Sequence, residues 1–123
     1  HKKAKEALSQ GTVVIFSAGT GSPCFTTDTG AALRAIEVDA DVVFKATKVD
    51  GIYDKDPMIH KDAVKFETVS FSRVLNDNLR VMDLTAITLC KENNLPIRVF
   101  NINHAGDLND LVLGGKIGTL VSE

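Results

Sequence analysis

Three short runs set the architecture: TVVIF at residues 12–16, DVVFKA at 41–46 and IRVFN at 97–101. Each is apolar and rich in β-branched residues, with little polar alternation. That pattern suits a strand covered on both faces, the situation of a parallel sheet. Shorter strand candidates follow at 67–69 and 118–121. Helical segments fall between the runs. Residues 2–9 read as the tail of a helix stopped by Gly11. Residues 29–38 read as a helix capped by Thr27 or Asp28, with Leu33, Ile36 and Ala40 turned to the core. Residues 70–76 start at the cap Ser70, residues 84–93 end at Asn93-Asn94 before Pro96, and residues 108–113 form a last helix. Strands alternating with helices predict an α/β fold with a mainly parallel sheet.

Such a sheet needs helices on both faces. The first run has little chain before it to supply them, and the chain begins at His1 rather than at a methionine. Both features read as a processed product or a fragment. The 123 residues suffice for one domain, 1–123, with no repeat and no interdomain linker. A net charge of −2 offers no footprint for nucleic acid. No apolar stretch approaches the ~20 residues that span a bilayer, so no membrane role is expected. Cys24 and Cys90 lack CxxC spacing and a histidine cluster, which argues against a zinc site. Two thiols without an export signal point to the reducing cytoplasm.

The segment SAGTGSPCFTTDTG, residues 17–30, leaves the first run and opens the next helix. A plain connection takes about 2–6 residues. In open α/β sheets, ligands bind at the carboxyl ends of strands, and a helix N-terminus favours anions. Gly19 and Gly21 let the backbone approach a ligand closely. Thr20, Thr26 and Thr27 add hydroxyls. The combination suits a phosphate or the polar edge of a base, although a capping turn alone would use one or two of these residues. It is not a Walker A loop, since GxxxxGK[ST] is absent. Asp28 beside a phosphate is repulsive unless a cation intervenes, either Mg²⁺ or a lysine, supplied from elsewhere in the fold, from a partner or from a missing segment. Neither Lys45 nor Lys48 is adjacent in sequence.

A second segment, TKVDGIYDKDP at 47–57, follows the second run. Asp50-Gly51 marks a turn. Tyr53, the single tyrosine, can pack on a nucleobase or cap the core. Asp54 and Asp56 can accept from ribose hydroxyls or face a metal. In LRVMDLTA at 79–86, Asp83 reads as a helix N-cap. His60, His104 and the lysines at 2, 3 and 5 read as solvated.

TKVDGIYDKDP resembles the nucleotide-binding segment of the amino-acid kinase superfamily. VVIFSAGTGSPCFTTDTGAALRA, LRVMDLTA and LPIRVFN are similar to the bacterial-type uridylate (UMP) kinases, over essentially all of this chain and only the C-terminal half of theirs. The resemblance implies a three-layer α/β/α sandwich. It implies transfer of the γ-phosphoryl of MgATP to UMP, giving UDP for pyrimidine biosynthesis. Thr20, Gly21, Ser22, Pro23, Cys24, Phe25, Thr26 and Thr27 would hold UMP. Thr47, Tyr53 and Asp56 would contact ATP, and Asp28 would sit at the transferring phosphoryl group, orienting lysines or working with Mg²⁺. The family assembles as a hexamer, with GTP and UTP as effectors. Its catalytic lysine loop lies in the other half, so this chain alone is expected to be inactive.

Where the family often has Asn-Pro-Phe-Phe, this chain has Ser22-Pro23-Cys24-Phe25, which keeps a polar group and removes aromatic bulk. Two alternatives stand beside this reading. One is another amino-acid kinase that phosphorylates a carboxylate. The other is a non-catalytic nucleotide-binding or assembly domain.

Overall fold

A computed structural model describes residues 2–17, 19, 21–23 and 25–123. The elements run α1 (Lys2–Ser9), α2 (Thr27–Glu37), β1 (Val43–Thr47), β2 (Thr68–Val69), α3 (Phe71–Asn76), α4 (Leu84–Glu92), β3 (Ile97–Asn101), α5 (Asp107–Val112) and β4 (Thr119–Val121). The strands form an open sheet in the order β1-β3-β4-β2. β1 pairs with β3 in parallel, with Val43 opposite Ile97 and Thr47 opposite Asn101. β2 pairs with β4 in parallel, while β3 and β4 are antiparallel. The expected α/β fold with a mainly parallel sheet is what the chain adopts.

The helix starts follow from side-chain caps. Ser70 accepts from the Arg73 amide to open α3, and Asp83 from the Ala86 amide to open α4. Helix α2 opens two residues earlier than the expected start at residue 29. Thr26, in extended conformation, accepts from the Thr29 amide, so Thr27 and Asp28 are already helical. At the far end of α4, Asn94 takes a left-handed φ of 50°, which the Asn-Asn pair before Pro96 accommodates. The core lies between the sheet and helices α2, α3 and α4. Ala32, Val43, Phe71, Ala86, Ile87, Ile97 and Val121 are among its buried members. On α2 the buried stripe is Thr29, Gly30 and Ala32, with Leu33, Ile36 and Ala40 only half-buried at its margin.

One expected strand is not formed. Residues 12–16 join no strand, and Val13 and Ile15 are each 89% exposed. A run of this composition becomes a strand when neighbours pair with its backbone and cover both faces. β1 stands at the sheet edge, and there Phe44 and Ala46 are exposed as well. Two stretches built for burial thus lie open on the same chain.

Candidate functional site

The site assembles at the carboxyl end of β1 and the N-termini of α2 and α4. Asp28 lies in the first turn of α2. Lys45 projects from β1, and its Nζ lies 3.1 and 3.0 Å from the two Asp28 carboxylate oxygens. Both side chains are roughly three-quarters buried. Lys45 is therefore the lysine from elsewhere in the fold that the charge of Asp28 demands. The primary sequence hides it, because 17 residues separate the partners.

Asp83 makes the second junction. One of its oxygens accepts from the Ala86 amide at 2.9 Å and from the Thr29 hydroxyl at 3.1 Å. The other accepts from the Thr26 hydroxyl. The N-cap of α4 thus also holds the N-cap of α2. Partial burial pushes the Asp83 carboxyl up, but the hydrogen bonds from Thr26, Ala86 and Thr29 and the charge of Lys45 outweigh it. They hold the group below the usual aspartate range.

The loop before α2 borders a concavity of about 480 Å³ lined by Gly19, Gly21, Ser22, Pro23, Phe25, Thr26 and Thr27. Gly19 and Gly21 have φ of 56° and 79°, a region that glycine enters freely. Arg34 of α2 reaches back to donate to the Gly19 carbonyl at 3.0 Å while pairing with Glu37. Composition gave no sign of that tether. The loop residues are thus brought together around a shared space. The Thr26 hydroxyl, however, is engaged by Asp83 and the Thr29 amide rather than turned to that space. Thr20 and Cys24, both singled out above, lie outside the described residues.

A larger cavity, about 610 Å³, opens beyond β1. Tyr53 and Asp56 line it, together with Asp54, Lys55, Asp77 and Arg80. Its wall is an excursion of the chain closed on itself. The Phe66 amide donates to the Ile52 carbonyl at 2.8 Å, and the Asp54 amide to the Val64 carbonyl at 3.0 Å. Asp56 folds its own turn by accepting from the Met58 amide at 2.9 Å. Thr119 anchors the base, accepting from the Ile52 amide at 2.9 Å and donating to the Phe66 carbonyl. Thr47 is not among the lining residues. Its hydroxyl accepts from the Val49 amide at 3.0 Å and faces the Val49 and Phe100 carbonyls. Thr47 shapes the turn into the cavity wall.

Among the described residues no group of three or more His, Cys, Asp or Glu side chains is placed to hold a metal ion. Among the described residues no helix is long and apolar enough to cross a membrane. His104 is exposed, as expected, with its Nε2 3.3 Å from Asp50.

An open, mostly parallel sheet with a lysine–carboxylate pair joining β1 to α2, and concavities bordered by the adjoining loops, is an α/β frame of the kind that takes ligands at strand carboxyl ends. The sequence profile described as the Amino acid kinase family matches residues 1–101, and the chain belongs to that family. Among its relatives, the uridylate kinase of Pseudomonas aeruginosa is 58% identical over 122 residues, 99% of this chain and 50% of that protein. The crystal structure of a UMP kinase from Bacillus anthracis superposes with a TM-score of 0.95 at 36% identity, covering 98% of this chain and 50% of that one. That of Ureaplasma parvum UMP kinase gives 0.92 at 42% identity, covering 99% and 52%. The chain spans about half the length of the relatives it matches.

Proposed function

We propose that this chain is the C-terminal half of a UMP kinase, which transfers the γ-phosphoryl group of ATP to UMP to give UDP. The observation that carries the reading is the Lys45–Asp28 pair. Asp28 follows directly on the loop concavity through Thr27. Lys45 lies four residues before Val49, where the larger cavity begins. The pair joins the two elements that carry an acceptor site and a donor site. Relatives matching nearly the whole chain bear the names uridylate kinase and UMP kinase, which supports the same assignment.

In this reading, Gly21, Ser22, Pro23, Phe25 and Thr27, with Thr20 and Cys24, hold UMP, and Thr26 sets the shape of that loop. Tyr53 and Asp56 contact the adenosine end of ATP, with Thr47 forming the turn beneath. Asp28 holds the Lys45 ammonium against the point where phosphoryl charge develops. Phosphoryl transfer is catalysed mainly by position and charge neutralisation, so a lysine fixed by a carboxylate is the expected equipment. The donor set fits a magnesium ion that arrives on the nucleotide phosphates. Such an ion would need only one or two protein carboxylates, Asp28 beside Lys45 being the nearest to the proposed phosphoryl position, and would neutralise phosphate charge. Hexamer assembly, response to GTP and UTP, and a cytoplasmic location belong to the same proposal.

The test is UDP formation from ATP and UMP by the full-length gene product, with N-acetylglutamate and aspartate as competing acceptors. UMP-dependent turnover is expected, falling at least ~100-fold in Lys45→Met. Turnover with a carboxylate acceptor, or nucleotide binding without turnover, overturns the proposal. The 123-residue chain alone is expected to give no UDP.

A further inference from the structure

The charged side chains lining the larger cavity can be accounted for one by one. Asp54 accepts from the Val64 amide at 2.8 Å and Asp56 from the Met58 amide at 2.9 Å. Lys55 pairs with Asp62 at 2.7 Å, and Asp77 with Arg73 at 3.1 Å. That leaves Arg80. Of the described charged residues on this wall, it is the one whose head group has neither a hydrogen bond nor an ion pair.

A solvated arginine on a loop is ordinary. The placement of this one is not. Leu79, Val81 and Met82 around it all pack on the core, so the backbone at residue 80 is anchored while its side chain borders the cavity. Three residues further on, Asp83 meets the Thr26 hydroxyl and feels the charge of Lys45. Three residues span at most about 11 Å. Arg80 therefore borders a nucleoside-sized cavity and lies, along the chain, within about 11 Å of Asp83, which faces the Lys45 charge. A polyphosphate leading from a base in that cavity to Lys45 passes along this stretch. The planar guanidinium can bind two phosphate oxygens at once, which an ammonium cannot.

We propose that Arg80 is a donor-phosphate contact: its guanidinium grips the polyphosphate of the nucleotide seated in the Tyr53–Asp56 cavity. This rests on the donor-site reading above and adds a residue to it.

The experiment compares ATP with adenosine in binding to the full-length protein, for the parent, Arg80→Lys and Arg80→Met, alongside KM for ATP and for UMP. In Arg80→Met, ATP affinity is expected to fall about tenfold, the loss of one charge-assisted contact, with adenosine affinity and the UMP KM unchanged. Arg80→Lys is expected to recover only part of the loss. An ATP affinity within twofold of the parent overturns the assignment. So does an equal fall for ATP and adenosine, which would mark a merely structural role. The parent's UMP turnover, measured in the same preparation, judges the kinase reading separately. A parent that binds ATP through Arg80 without phosphorylating UMP would sink that reading and leave this one standing.

Discussion

Replacing Asp83 tests whether one carboxylate fastens the loop before α2 to the rest of the fold. Alanine at this position removes the α4 cap, costing about 1 kcal/mol. It also takes the charged acceptor from the Thr26 and Thr29 hydroxyls. Each loss costs about 1 kcal/mol, since water can replace part of the interaction at a half-buried position. The whole effect is about 3 kcal/mol. At an m value of about 2 kcal/mol per M, the urea midpoint of the full-length protein falls by about 1.5 M. Asp83→Asn keeps an oxygen for Ala86 and Thr29 but presents an amide to Thr26, so about 1 kcal/mol is expected. The pH dependence supplies a second, independent reading. The Asp83 carboxyl is held below its ordinary value of 3.8 in the folded state. Its contribution is therefore complete above that value and is lost as pH falls through the lower folded one. The gap between parent and Asp83→Asn should close in that window. An alanine variant within about 0.5 kcal/mol of the parent, or a gap that persists well below pH 3.8, would show that the junction carries no stability.

Three further substitutions probe other parts of the fold. Thr119→Val removes a fully buried hydroxyl that serves both the Ile52 amide and the Phe66 carbonyl, leaving two backbone groups without partners. A loss of about 2–4 kcal/mol is expected by denaturant titration, and a near-neutral result would refute the anchoring role given to Thr119. Gly118→Ala places a Cβ against the Val99 carbonyl oxygen at a φ of 76°, whereas Gly114→Ala, at 97°, meets open space. The first should prevent accumulation of folded protein and the second should cost about 1 kcal/mol by thermal melting; equal behaviour would contradict the packing of β4 on β3. The Cys90 thiol is buried, and burial raises its pKa to about 11. Peptide-level alkylation at neutral pH should leave Cys90 unmodified in the native protein and label it in denaturant; rapid native labelling would place it outside the core.

The elements most legible in the sequence were those whose causes are local. Ser70 and Asp83 cap the helices that follow them because a short polar oxygen before an apolar run has few other uses. IRVFN became β3, because parallel β1 and antiparallel β4 flank it and bury Ile97, Val99 and Phe100. TVVIF is more apolar still and has the opposite outcome. No described strand pairs with it, and Val13 and Ile15 face solvent. Strand propensity records a fit to a half-buried surface, and a surface has to be supplied from outside the segment. The displaced start of α2 has the same origin. Thr26, Thr27 and Asp28 are all good caps, and the choice among them falls to Asp83, 57 residues away, which takes the Thr26 hydroxyl.

The Asp28–Lys45 pair was the least legible feature, yet its logic lies in strand alternation. Residues two apart on a strand share a face. Val43 is buried in the cluster that contains Ala32 of α2, so Lys45 points to the α2 side as well, one pleat nearer the carboxyl end. A lysine there cannot stay unpaired in a half-buried position without a large cost. Helix α2 begins beside it, and the first turn of a helix is where a carboxylate is stabilised by the peptide dipoles. The lysine in the apolar run DVVFKA and the acid in TTDTG are therefore one feature seen from two places in the chain. The sheet brings the pair together, while the Gly-rich loop before α2 and the closed excursion after β1 each border a concavity.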